Sequence, residues 1–474
     1  MDPPNNSLKI HELCRIAPIS ASELSLPLTF FDLLWFKLHP VQRLFFYSLP
    51  HSNPSFFFES LIPKLKRSLS LALKHFLPLA GNIVWPLNSQ KPVIQYTSGD
   101  GVSLVIAESS DDFNHFSGNS PREAIKFRHL VPHLDTCDSV ASVSALQVTL
   151  FPNKGFCIGI STHHAVLDGK SATTFMKSWA YFCQTCSESS PLLPELQPFF
   201  DRSVVKDTNG LDVKYLNEWN WITAADGGDS NDANNEKSLK ILLNTSPQAM
   251  DQLVLATFDL NRTDLEKIKK RVMTLWDKVD GEEETHTSKP SNLSTFILTS
   301  AYVFSCVAKA LKGNGNNNVS FGFSADCRAR LKPPLPANYF GNCVFPSMTN
   351  AEAEDFDKED GLAIVAKKIH NKIRMLEKGV LDEAETVFSK WKSMASKGTR
   401  GIGVGGSTRF GVYGIDFGWG RPVKVEIVTI DTNGLITMAE SKDGNSGVEV
   451  GLLLSKHEMD RFASSFHAGL EKLD

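Results

Sequence analysis

The sequence predicts an α/β protein, built from mixed layers of sheet and helix in two domains. Three observations predict it. The chain has 474 residues, more than one ordinary core accommodates. Hairpin patterns and amphipathic helix patterns occur together in both halves, which favours α/β or α+β layers over a TIM barrel. Between the halves, residues 184–240 are first proline-rich and then polar, a composition that cannot bury a core. The boundary falls there, with an N-terminal domain over 1–200, a crossover loop over 201–240 and a C-terminal domain over 241–474.

The first residues, Met1 to Asn6, show no basic region leading into an apolar stretch, so no signal peptide is expected. Residues 65–80 read as an amphipathic helix. Leu65, Leu69, Leu73 and Phe76 recur at three or four positions, and Pro78 with Gly81 stops it. Residues 145–150 alternate, with Leu146, Val148 and Leu150 on one face. Pro152-Asn153-Lys154-Gly155 then turns the chain into 156–160, which makes a hairpin. A second amphipathic helix follows Gly169, with Ala172, Phe175, Met176, Trp179 and Phe182 facing inward.

The polar run 229–235 carries no packing face and is expected to be dispensable. Beyond it, residues 294–304 form a mostly apolar helix, and a strand runs over 319–323. Three more strands follow at 423–430, 435–438 and 448–454, with Asn433-Gly434 and Asp443-Gly444 as turns. The last helix begins at Lys456. Ser455 and Glu458 make a capping box, and Met459, Phe462, Ala463, Phe466 and Leu470 form its stripe.

Bulk properties exclude some functions. Net charge is −4, with no basic excess for nucleic acid. No apolar run reaches the roughly 18–20 residues that cross a bilayer. The 31 phenylalanines fit either ordinary core packing or an interior holding a flat apolar ligand. The 8 cysteines include one CxxC, Cys183 and Cys186, late in a helical run, and all read as reduced thiols in a cytosolic protein.

Three constellations can carry chemistry. In Ser161-Thr162-His163-His164-Ala165-Val166-Leu167-Asp168-Gly169, a histidine and a carboxylate stand four apart between a strand and a helix. Histidine is the side chain best suited to taking a proton near neutral pH. Asp168 either orients His164 or caps the helix. A metal would need a third ligand that the neighbourhood does not supply. Around Asp416, the run Tyr413-Gly414-Ile415-Asp416-Phe417-Gly418-Trp419-Gly420 reads as a tight turn packed on Trp419, or as a second acid–base site. The glycines at 401–406 lack the residues of a phosphate loop. Arg328 and Arg330 either bind an anion, pair with a carboxylate such as Asp168, or stay solvated.

Taken together these residues resemble the BAHD acyltransferases, plant enzymes that move acyl groups from coenzyme A to alcohols or amines. HxxxD appears as His164 to Asp168 and DFGWG as Asp416 to Gly420. Further matches are Leu26-Pro27-Leu28-Thr29-Phe30-Phe31-Asp32, Leu77 to Asn82 and Phe200-Asp201-Arg202-Ser203. Tyr339-Phe340-Gly341-Asn342-Cys343 resembles the YFGNC box of the subgroup that acylates flavonoid and anthocyanin glucosides.

The resemblance implies two similar-sized mixed sheet-and-helix domains, the CoA-dependent acyltransferase fold, with a channel between them. A segment near 417–440 is expected against the N-terminal domain. His164 is implied as general base. Asp168 is implied to point away and pair with Arg328, or failing that Arg330. Asp416 is implied to be structural, although its counterpart is sometimes given as a second proton acceptor. Arg328, Ser407 and Arg409 are the substrate-binding candidates.

The implied reaction is malonyl transfer from malonyl-CoA to a sugar hydroxyl of a flavonoid or phenolic glucoside. It uses acyl-CoA as co-substrate, no metal or redox cofactor, and a monomeric enzyme. A hydroxycinnamoyl-CoA donor is the alternative within the family. Outside it stand a metal-dependent hydrolase and a non-catalytic phenolic-binding protein.

Overall fold

A computed structural model describes residues 7–50, 53–225, 237–242, 252–279, 289–311, 318–356, 358–397, 399–428 and 435–473. Its strands in chain order are β1 (Leu8–Ile16), β2 (Leu24–Pro27), β3 (Val41–Ser48), β4 (Asn82–Val84), β5 (Val93–Tyr96), β6 (Val102–Ser109), β7 (Arg122–Glu123), β8 (Val140–Ser142), β9 (Ser144–Phe151), β10 (Gly155–Thr162), β11 (Leu253–Leu260), β12 (Asn318–Asp326), β13 (Val344–Glu352), β14 (Arg400–Gly406), β15 (Lys424–Ile427), β16 (Leu435–Glu440) and β17 (Val448–Ser455). They form two mixed sheet-and-helix domains. One sheet has the order β1-β6-β9-β10-β3-β15 and the other β13-β12-β14-β16-β17-β11-β7; a small third sheet is β2-β5-β4-β8.

The β9–β10 hairpin forms as expected, with Phe151 opposite Gly155. Gly155 is required there: a Cβ would fall 2.0 Å from the carbonyl oxygen of Tyr47 on the neighbouring strand. Both faces of β9 are buried. Leu146, Val148 and Leu150 join the main core. On the other face Gln147 satisfies its amide on the His129 carbonyl at 2.7 Å and the Thr149 hydroxyl at 2.9 Å.

Helices Ile62–His75 and Gly169–Thr185 pack on this sheet, and the Trp179 indole donates to Ser68 Oγ at 3.1 Å between them. The first helix ends at His75, short of the expected residue 80, because Pro78 sits in a separate 3-10 turn, Leu77–Ala80. In the second domain, helix Thr295–Leu311 is buried nearly all round, as its apolar sequence requires, and lies beside helices Gly361–Lys378 and Lys456–Glu471. The Ser455–Glu458 capping box is formed.

Two expectations are corrected. The crossover loop over 201–240 contains a helix, Leu211–Ala225. Leu211, Tyr215, Leu216 and Trp219 are its buried stripe, and Trp219 donates to the Leu33 carbonyl at 2.8 Å. The first two of the three C-terminal strands, read as joined by the Asn433-Gly434 turn, lie in different sheets, whereas the last two pair antiparallel. β15 leaves its chain neighbours and pairs antiparallel with β3, Lys424 opposite Phe46. In return β7 crosses to the second sheet and pairs with β11.

The two exchanged segments hold each other. Arg122 in β7 and Glu426 in β15 form a buried ion pair at 2.8 Å. The run 229–235 and the Asn433-Gly434 turn lie outside the described residues. Among the described residues no helix is long and apolar enough to cross a membrane.

Candidate active site

β10 ends at Thr162, and a turn of residues 163–168 connects it to helix Gly169–Thr185. His164 and Asp168 therefore do not share a helical face; each has its own place on the turn. Asp168 is the N-cap. Its Oδ1 accepts the Ser171 N–H at 2.9 Å. Its Oδ2 accepts the Cys343 N–H at 3.1 Å and pairs with Arg328 Nη2 at 2.8 Å. Both side chains of the pair are buried. Burial opposes the charge on Arg328, but Asp168 and Asp326 outweigh it and raise its pKa. The Arg328 Nε donates to the Tyr339 carbonyl and Nη1 to Asp326, while Nη2 also reaches the carbonyls of Tyr339 and Gly341. Arg330 instead donates to the Asp326 carbonyl at 2.6 Å.

Residues 339–343 bind this turn from the second domain. The Asn342 Nδ2 donates to the His164 carbonyl at 2.9 Å and to Asp32 Oδ1 at 3.2 Å. The Asn342 backbone N–H also reaches Asp32 Oδ1, at 3.1 Å. Asp32 is fully buried, and its other oxygen accepts from the Thr29 N–H and hydroxyl, both at 2.9 Å. Arg202 lies 3.7 Å from that carboxylate and donates to the Tyr339 hydroxyl at 2.6 Å. The Leu26–Asp32, Phe200–Ser203 and Tyr339–Cys343 segments thus converge on one buried polar cluster under His164.

The two histidines differ. His163 is fully buried, and its Nδ1 accepts the Ala165 N–H at 3.2 Å, so the proton resides on Nε2. His164 is half-buried and stacks on Trp35, with centroids 4.7 Å apart and planes 7° from parallel. Its Nδ1 is buried. Burial pushes His164 down to about 4, against the opposing pull of its own carbonyl and of Asp168. Burial likewise pushes His163 down to about 3. Both are neutral at pH 7, and His164 is the one open enough to meet a substrate.

Asp416 belongs to another place. Its Oδ1 accepts the N–H groups of Gly418 at 2.7 Å and Gly420 at 3.0 Å, closing a tight turn whose glycines have φ of 99° and 102°. Phe417 packs edge-on to Tyr47 and Trp179, and Trp419 to Phe156. The Asp416 carbonyl accepts from Gln184, at the C-terminal end of the Gly169–Thr185 helix. Asp416 is thus tied to the far ends of β10 and of that helix, roughly 20 Å from the turn by the rise of a strand.

Ser407 and Arg409 follow β14. Ser407 borders a small, partly open cleft between the sheets, together with Arg43, Phe410 and Lys424. Arg409 is exposed and outside that cleft. Asp32, Arg202 and Asn342 stood in recognised segments without assigned roles; the Thr29–Asp32 spacing of a capping box was the one local sign of a structural carboxylate. Arg43 had no sign at all, since an arginine in an apolar strand reads as an edge charge.

With this geometry in place, the comparisons with known proteins agree. Residues 9–468 match the model of the Transferase family. Phenolic glucoside malonyltransferase 1 of Arabidopsis thaliana is 42% identical over 473 residues, covering 98% of each chain. Malonyl-CoA:anthocyanidin 5-O-glucoside-6''-O-malonyltransferase of Arabidopsis thaliana is 43% identical over 478 residues, 98% of this chain and 99% of that protein. The crystal structure of vinorine synthase superposes with a TM-score of 0.66 at 20% identity over 96% of each chain, which shows the shared fold. The chain belongs to the BAHD acyltransferase family and is a transferase enzyme.

Proposed function

We propose that the protein transfers a malonyl group from malonyl-CoA to a sugar hydroxyl of a phenolic or flavonoid glucoside, with His164 as general base. The observation that carries this reading is the neutral, half-buried His164 imidazole on a turn fixed by the Asp168–Arg328 pair and by Asn342. Malonyltransferases of phenolic and anthocyanin glucosides among the relatives support the substrate class. The acceptor oxygen attacks the thioester carbonyl carbon while its proton passes to His164. The new C–O bond forms, the C–S bond breaks, and His164 returns the proton to the coenzyme A thiolate. Both substrates bind together, so no acyl-enzyme is needed.

Asp168 and Arg328 act as positioning residues, with the Arg328 donors committed to protein groups, and Asp416 shapes its own loop. Residues 1–200 and 241–474 are the two domains, exchanging β7 and β15 across the 201–240 connection. The enzyme is a cytosolic monomer without a resident metal or redox cofactor. Incubation with malonyl-, acetyl- and p-coumaroyl-CoA and a panel of phenolic glucosides, read by product mass, tests the reading. A mass gain of one malonyl group is expected; coumaroylated product alone overturns the donor assignment.

A further inference from the structure

Six cationic side chains are buried among the described residues: Lys37, Arg43, Arg122, Arg202, Arg328 and Lys424. Four have carboxylate partners: Arg122 has Glu426, Arg202 has Asp32, Arg328 has Asp168 and Lys424 has Glu449. Lys37 donates to the Ser238 carbonyl, and burial lowers it to about 8. Arg43 is different. It is 4% exposed, and its one hydrogen bond among the described residues, from Nη1, goes to the Thr173 hydroxyl at 3.0 Å. Its Nε is buried without a partner. No described carboxylate stands within ion-pair distance, and the Asp168 charge offsets only part of the cost of burying the guanidinium. An unpaired guanidinium in such a place is costly unless a ligand brings the missing charge.

The surroundings say what kind of ligand. Arg43 borders the cleft that Ser407 and Phe410 also border. The carboxylates of that cleft are already engaged, Glu426 by Arg122 and Glu449 by Lys424 and the Tyr413 hydroxyl. Among the charged side chains that line the cleft, Arg43 is thus the one left without an ion pair. Arg43 lies opposite Ile160 in the β3–β10 ladder, and a Cβ on Gly169 would meet its Nη2 at 2.9 Å and Phe410 at 2.8 Å. Its guanidinium thus sits against the residue after Asp168, at the foot of the turn that presents His164. The phosphates of coenzyme A are at the other end of the pantetheine arm, and a phenolic glucoside is uncharged. The anion that travels with the reacting thioester is the free carboxylate of the malonyl group.

We infer that Arg43 binds the malonyl carboxylate of the donor and is the residue that selects malonyl-CoA over acyl donors lacking a charge. This rests on the malonyl-transfer reading above. A charge-assisted fork contact fixes the acyl group while leaving its thioester free to react. Gly169 and the flat face of Phe410, 5.8 Å from the guanidinium carbon, leave the arginine room and hold its plane.

The test compares kcat/KM for malonyl-CoA and acetyl-CoA on one phenolic glucoside, in the wild type and in Arg43→Gln. In the wild type malonyl-CoA is expected to win. In Arg43→Gln its kcat/KM falls roughly 10–150-fold while that of acetyl-CoA stays within threefold, so the preference collapses. A malonyl preference that survives in Arg43→Gln with acetyl turnover intact overturns the assignment of Arg43 alone. A wild type that favours acetyl- or p-coumaroyl-CoA overturns the donor reading and this inference with it. Should Arg43→Gln lose turnover with both donors, Arg43→Lys carries the same test: the malonyl-to-acetyl ratio drops at least threefold, and an unchanged ratio overturns the assignment.

Discussion

The side-chain amide of Asn342 donates at 2.9 Å to the backbone carbonyl of His164, from the opposite domain. The same amide nitrogen holds the buried carboxylate of Asp32, so one side chain ties the base-bearing turn to a fixed charge.

Asn342→Ala is expected to lose stability and rate together. It strands the His164 carbonyl and leaves Asp32 Oδ1 with only the backbone N–H of residue 342, at a cost of about 1–3 kcal/mol. It also frees the turn, and a small displacement of the imidazole lowers kcat/KM by about 10–100-fold. Asn342→Asp does worse on both counts, because it sets a second carboxylate against Asp32. Thermal melts beside malonyl-transfer rates check this; a normal rate in Asn342→Ala removes the positioning role.

His164→Ala should fold as the wild type does and transfer about 10²–10⁴-fold more slowly. The ring makes a stacking contact with Trp35 but no side-chain hydrogen bond that the fold depends on. A residual rate above roughly a tenth of wild type shows that another base works in its place.

The pH dependence follows from burial. His164 is pushed down to about 4, so the acid limb of kcat/KM belongs near pH 4 instead of near the ordinary 6.5. His163, pushed down to about 3, contributes in the same sense to stability. Below pH 6.5 the unfolded chain binds protons at both histidines while the folded chain does not. Stability is therefore complete above pH 6.5 and falls as the pH drops toward 4, by up to about 1.4 kcal/mol per pH unit for each histidine. Urea midpoints at pH 7.5 and 5.5, with rates on the same samples, measure both; a rate limb at 6.5 contradicts the buried imidazole.

Asp168 and Asp416 should separate cleanly. Asp168→Ala leaves Arg328 buried with one partner fewer and removes a helix cap, costing about 3–5 kcal/mol and most of the activity. Asp416→Ala loses the acceptor for two turn N–H groups, costs about 1–3 kcal/mol, and leaves the rate of the folded fraction within tenfold of wild type. A rate loss of a thousandfold in a well-folded Asp416→Ala would put that carboxylate in the reaction.

Much of this was legible in the chain. The β9–β10 hairpin, the stripe from Ala172 to Phe182 and the Ser455–Glu458 box are local patterns, and the structure contains all three. The helix Leu211–Ala225 was missed because its four inward residues lie among prolines and polar runs that dominate any window. The destination of Lys424–Ile427 is not local information; only the family resemblance, which sets 417–440 against the N-terminal domain, points to it. A strand pattern gives a period, and the partner is chosen by distant residues such as Phe46 and Arg122. The site divides the same way. His164 and Asp168 stand in one short segment, whereas Asn342, Asp32 and Arg43 gain their roles only through contacts that span the chain.

The late arrival of Lys424–Ile427 also sets a timetable for synthesis. The Tyr47 hydroxyl donates to the Ile415 carbonyl, 368 positions further along. At roughly 5–20 residues per second, β3 leaves the ribosome on the order of 20–70 s before its outer neighbour exists. Through that interval its apolar edge, Leu44 to Tyr47, is an open template for wrong pairing. A ribosome that stops before residue 427 releases a chain whose first sheet can never be closed, and such fragments should be aggregation-prone clients of chaperones.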